Sequence, residues 1–289
     1  MAPPIQPVRV DITNDPDETQ PIKIRPIKPL EQTKLPNFWI MIFTAYIFGI
    51  FFAEVLATLY APQVGLVCHG VLLLILFVHG ALSYNLIFQR MLITLALAPL
   101  IRFVSLTLPA NNDLFYFHYL VLAGGPLLIS ALMVVKYSDL KLSDVGFRLS
   151  NWPVQILVGF SGLGLGTIEF LILRPSPLVS PFTLIQVWLP ALISLVFIGI
   201  LEELIFRGLM QRIFIDGLGR FRGVLSISFL YSILHTGYHS VLNMLFVFIV
   251  ALFFGWVVLR TKSIVGVALA HGLTNIGLFL VIPFLVSSW

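Results

Sequence analysis

Residues 184–213 read LIQVWLPALISLVFIGILEELIFRGLMQRI, and the fold class follows from this stretch. From Leu184 to Leu201 it carries no charged residue. A helix that crosses a bilayer needs about 20 predominantly apolar residues, so the stretch predicts a transmembrane helix. It also places Glu202, Glu203 and Arg207 within that helix. A charge inside a bilayer is expensive and by default marks a functional position.

The rest of the chain agrees with a membrane solvent. Of 289 residues, 58% are hydrophobic and 10% charged, whereas soluble domains have roughly 45–50% apolar and about 25% charged residues. Mean hydropathy is +1.00. These proportions exclude a soluble enzyme, a disordered protein and a disulfide scaffold. With a single cysteine, Cys68, neither an internal disulfide nor a cysteine-based zinc cluster can form. The net charge of +4 comes without any Lys/Arg-rich run, so no nucleic-acid partner is implied. The basic residues serve as topology signals.

Outward from 184–213, further apolar runs are expected as spans at 38–59, 64–84, 91–108, 118–135, 153–173, 224–237, 240–259 and 264–285. The 224–237 run is short, so eight spans plus a re-entrant piece is the alternative to nine. The expected fold is therefore all-α, a polytopic transmembrane bundle of about eight or nine helices. Residues 1–36 differ, with many prolines and balanced charge and no signal-peptide pattern; they read as a solvated, disordered cytoplasmic tail. Residues 37–183 read as accessory transmembrane helices and 184–289 as the core that carries the chemistry.

Charge in the loops sets orientation. If the tail is inside, it and the alternate loops hold Arg90, Lys136, Lys141, Arg148, Arg212, Arg220, Arg222, Arg260 and Lys262, while the outer loops hold only Arg174. That bias predicts a multi-pass membrane protein with a cytoplasmic N-terminus and an external C-terminus; the cell membrane is the expected location, with an internal membrane as the alternative.

Within the membrane, Glu203 and Arg207 stand at i and i+4, the favourable orientation for a helical ion pair. Glu202 points about 100° away and needs another partner. At 1.5 Å per residue, Glu202 sits roughly 15 Å from the inner end of its helix, His235 roughly 18 Å and His271 roughly 12 Å from theirs. Asn275 lies one turn beyond His271. Polar side chains from three helices thus fall at similar depth around an expected water-accessible cavity. A carboxylate beside a histidine can take a proton from water, and a His/Asn pair one turn apart can donate to an oxyanion. This chemistry needs neither a covalent nucleophile nor a cofactor.

Glu202-Glu203-x-x-x-Arg207, His235 and His271-x-x-x-Asn275 together resemble the CAAX protease and bacteriocin-processing (CPBP) family. Its Rce1-like CAAX prenyl endopeptidases are regarded as glutamate-dependent intramembrane proteases. The resemblance covers about 184–285. It implies that Glu202 activates water with His235, that His271 and Asn275 form the oxyanion hole, and that Glu203 and Arg207 brace the helix. The implied substrate is a membrane-associated or lipid-modified peptide, either of prenylated CAAX type or another hydrophobic peptide. One departure is Tyr231, where the family often has Phe; its hydroxyl is expected to reach His235.

Alternatives remain open. The chain could be a non-catalytic CPBP-fold scaffold or bacteriocin-immunity-type protein. It could also be a zinc protease with Glu202, His235 and His239 as ligands, although the glutamate that zinc proteases carry beside the first histidine is absent. Glu54, Arg102 and Glu169 are expected to pair among themselves or with Arg174 near the outer face. His69, His79 and His118 read as packing residues, and the Gly162-x-Gly164-x-Gly166 run as a close helix contact.

Overall fold

The computed structural model describes residues 35–107, 113–179 and 182–287. Beyond Leu35 and Pro36, the expectation for the tail 1–36 lies outside the described residues. Secondary structure among the described residues is helical throughout, as a bilayer requires of any open chain that must satisfy its own backbone groups. Among the described residues, eight helices are long and apolar enough to cross a membrane.

The first of them, α1 (Asn37–Leu59), shows why. It buries Phe43, Ile47 and Ile50 and exposes Phe38, Phe48 and Phe52. A helix apolar on every side suits lipid, not water. Next come α2 (Pro62–Leu82), α3 (Leu86–Leu95), α4 (Leu97–Thr107), α5 (Asp113–Tyr137) and α6 (Trp152–Leu173). The side chain of Asn85 accepts a bond from the Phe88 backbone N–H at 3.0 Å and starts α3 early. Arg90 therefore lies within that helix and not in the loop that the apolar pattern assigned to it. The break between α3 and α4 follows from Pro99, which cannot donate to the carbonyl of Leu95 and crowds it.

The charged stretch belongs to one long span, Gln186–Leu218. It begins as α7 (Leu184–Ile193), widens into π-helical turns at Ser194–Ile200, tightens at α8 (Leu201–Glu203), widens again at Leu204–Gln211 and ends as α9 (Arg212–Leu218). The glutamate pair thus sits in a short α-helical turn between two π-helical segments, a distortion frequent at functional sites.

The short run resolves as a ninth, shorter helix. α10 (Arg220–Ile233) has 14 residues, about 21 Å of rise, against a hydrocarbon core of about 30 Å. A 3₁₀ turn at Thr236–Tyr238 follows, then α11 (Val241–Thr261). The chain completes with α12 (Val265–Ile276), a π-helical segment at Gly277–Val281 and α13 (Ile282–Ser287).

Close approach of α6 and α12 fixes the site's register. A Cβ on Gly162 would collide with the carbonyl of Ala270, and one on Gly166 would lie 2.6 Å from the carbonyl of Thr274. Gly164, between them, has nothing within 4 Å. Small residues on one face let two backbones touch, and the turns touched belong to the helix carrying His271 and Asn275.

Basic loops gather at one end of the bundle. Arg212 donates to the Asp144 carbonyl at 2.7 Å, Ser263 to the Arg148 carbonyl at 2.7 Å, and Ser150 to the Thr261 carbonyl at 2.8 Å. Arg90 approaches Asp139 at 3.9 Å. At Leu178 and Phe182 the α6–α7 loop instead meets Phe279 and Phe284 near the C-terminal end.

Candidate active site

A cavity of about 290 Å³ opens among the helices, and Glu202, Glu203, Arg207, Tyr231, His235, His271 and Asn275 all line it. The structure therefore brings every expected site residue to one place, except the alternative zinc ligand His239.

Glu203 and Arg207 form the i,i+4 ion pair, Nη1 to Oε1 at 2.8 Å, with both side chains essentially sealed from solvent. The guanidinium also stacks over the Tyr231 ring, 4.5 Å from its centroid, a favourable cation–π contact. Glu203 Oε1 takes a second partner, His271 Nδ1 at 3.1 Å. Glu202, by contrast, exposes 33% of its side chain. Its partner is the Tyr231 hydroxyl, which donates to Oε2 at 3.0 Å. The expected contact of that hydroxyl with His235 does not form. Oη lies 3.1 Å from His271 Nε2 instead, because α10 presents the tyrosine between α8 and α12.

Counting hydrogens orders this network. An ionised carboxylate only accepts, so His271 Nδ1 carries the hydrogen given to Glu203. The tyrosine has one hydrogen, given to Glu202, so its oxygen accepts from His271 Nε2–H. With both carboxylates ionised, His271 carries hydrogens on both ring nitrogens and faces Glu202 across 4.0 Å. The relay runs Glu203, His271, Tyr231, Glu202, with Arg207 closing the charge on one side.

His235 ends α10. Its Nδ1 pairs with the Tyr231 carbonyl at 2.9 Å; a carbonyl accepts, so Nδ1 holds the hydrogen and Nε2 keeps its lone pair. The irregular chain after Ile233 puts non-helical backbone beside a cavity, where such backbone is tolerated at membrane depth. Asn275 donates one amide hydrogen to the His271 carbonyl at 3.2 Å and has one left for a ligand.

The zinc alternative is corrected by this geometry. The 3₁₀ turn at Thr236–Tyr238 breaks the helix between the two histidines, and His239, with a φ of 52°, is exposed beyond the turn. Among the described residues no group of three His, Cys, Asp or Glu side chains is placed to hold a metal ion.

A second polar group on the cavity wall was expected elsewhere. Arg102 bonds to Glu54, as the pairing suggested, but it lines the same cavity. Glu169 does not join that pair; the packing of α6 on α12 turns it to the cavity. Ser105 and Tyr119 also line it and escaped notice. Only the helical i, i+3 spacing of Arg102 and Ser105 could have marked the serine.

Residues 184–277 match the Rce1-like family model, described as Type II CAAX prenyl endopeptidase Rce1-like. The match runs from the first residue of α7 through α12 and contains every expected site residue. No curated protein and no solved structure matches the chain.

Proposed function

We propose that the chain is an Rce1-like intramembrane endopeptidase of the cell membrane. It hydrolyses a peptide bond near the end of a membrane-associated, lipid-modified polypeptide of CAAX type. The observation that carries this reading is Glu202, a partly exposed carboxyl group on the cavity wall, tied through Tyr231 to a histidine whose far nitrogen is anchored on a sealed ion pair.

In this mechanism Glu202 takes a proton from a cavity water, and the water oxygen attacks the scissile carbonyl carbon. His235, with Nε2 free to accept, holds the second hydrogen of that water. Negative charge grows on the carbonyl oxygen. Asn275 meets it with its unused amide hydrogen, and His271 with the Nε2–H that the Tyr231 hydroxyl occupies beforehand. As the carbon–nitrogen bond breaks, the proton on Glu202 passes to the leaving amine. Arg207 and Glu203 take no part in bond changes; they fix His271 and the helix.

The test is cleavage of matched prenylated and unprenylated peptides by the purified full chain. Wild type is expected to cleave the prenylated set. Glu202→Gln and His271→Ala should fold yet lose a factor of about 10²–10⁴ or more in rate. Full activity in both variants would overturn the proposal.

A further inference from the structure

The mechanism uses α8, α10 and α12 and leaves the α4–α5 side of the cavity without a task. We propose that Arg102, with Ser105 and Tyr119, forms a subsite for a carboxylate, the free C-terminus of the peptide substrate. The proposal rests on the endopeptidase reading and adds how the substrate end is held.

Arg102 is more than half of a structural ion pair. Its Nε donates to Glu54 and its Nη1 to Ser105 Oγ at 3.2 Å. Nη2 has no partner among the described residues. Glu54 is fully buried behind it, while the guanidinium keeps 18% of its side chain exposed on the cavity wall. The anchoring carboxylate is thus on the protein side and the donors face the space. Behind Glu54 stands His69, also fully buried, with Nε2 3.1 Å from Oε1 but out of line for a hydrogen bond. Such backing fixes a guanidinium rigidly, which is what planar recognition of a carboxylate needs.

Charge around the cavity gives direction. Glu169, Glu202 and Glu203 come to the wall from α6 and α8, so an anionic group is repelled from that side. Both cations are paired, Arg102 with Glu54 and Arg207 with Glu203, but Arg207 is sealed while Arg102, on the α4 side, keeps part of its side chain open on the wall. A peptide entering with a free carboxylate therefore settles with its end at Arg102 and an upstream carbonyl toward Glu202. His235 and Arg102 line the same cavity, and an extended peptide advances about 3.3–3.6 Å per residue along it. Ser105 Oγ accepts from Arg102 Nη1 and donates to the Arg102 carbonyl at 3.1 Å, which holds the guanidinium in place, and Tyr119 lines the wall beside them.

The experiment compares two lipid-modified peptides that differ only in ending with a carboxylate or a carboxamide, using the full chain. Wild type is expected to favour the carboxylate by about tenfold or more in kcat/KM. Because Arg102→Gln leaves Glu54 buried and unpaired, the decisive variant is Glu54→Gln with Arg102→Gln, which keeps the region neutral. In it the ratio should fall to near one. Calorimetric binding of a short hydrophobic peptide as its acid and as its amide supplies a readout independent of cleavage. If wild type cleaves nothing but binds the acid about tenfold tighter through Arg102, the subsite stands and the endopeptidase reading fails. A ratio that persists in the double variant, or no preference in wild type by either readout, overturns the subsite.

Discussion

Tyr231 is where a single atom is expected to matter most. Its hydroxyl connects Glu202 at 3.0 Å with His271 at 3.1 Å, so Tyr231→Phe removes the link and leaves the ring stacked under Arg207. The expected result is a fall in kcat of about tenfold, near 1.4 kcal/mol of barrier, with KM little changed and thermal stability retained. Partial loss is the right expectation, since the resembling family often carries Phe there. A kcat equal to wild type would show that the bridge is idle. Arg207 and Glu203 call for a different measurement. Arg207→Gln strands a buried carboxylate and should cost about 3–5 kcal/mol, lowering the thermal midpoint sharply. Adding Glu203→Gln should recover much of that stability, while activity stays low because His271 Nδ1 has exchanged a charged acceptor for a neutral amide oxygen. If the double variant is no more stable than the single, the pair is not the brace described.

Whole elements act through register. α6 lies on α12 because Gly162 and Gly166 leave no side chain between the two backbones, and this contact sets the depth of His271 and Asn275. Gly162→Leu must push the Ala270 backbone away, which exceeds the usual overpacking cost of about 1–3 kcal/mol; it should lower the thermal midpoint and the cleavage rate together. Gly164→Ala faces open space and should be stable or slightly more stable, since Ala favours a helix by about 0.5–1 kcal/mol over Gly. Equal effects of the two changes would remove the stripe from the argument. Much at this scale is legible in the sequence. Desolvation of charge is a one-residue signal, so Glu202, Glu203 and Arg207 stand out, and helical rise alone brings His235, His271 and Asn275 to their level. What escapes is rotation and termination. Nothing in an apolar periodicity tells that Arg102 turns to the same cavity, that the Tyr231 hydroxyl finds Glu202, or that α10 ends at Ile233 before a 3₁₀ turn.

At the scale of the molecule the question is sidedness, and charge again supplies the argument. Arg90, Arg148, Arg212 and the turn at Lys262 belong to segments that the structure joins at one end. The α6–α7 loop joins the C-terminal end elsewhere. Two sets of loops, one basic and one nearly devoid of basic residues, are therefore physically separate, as the membrane requires if the positive-inside rule acted on this chain. Leu35, whose N–H meets the Gly217 carbonyl, lies at the same basic end. In a Cys68→Ala background, cysteines introduced at the exposed positions Lys141, Arg220 and Lys262 should react with an impermeant maleimide only after the membrane is opened. A cysteine at exposed Ser176 should react in intact cells. Labelling of all four from one side would contradict the separation, and the reverse pattern would invert the chain and place the basic loops, which surround the start of α12, on the outer face.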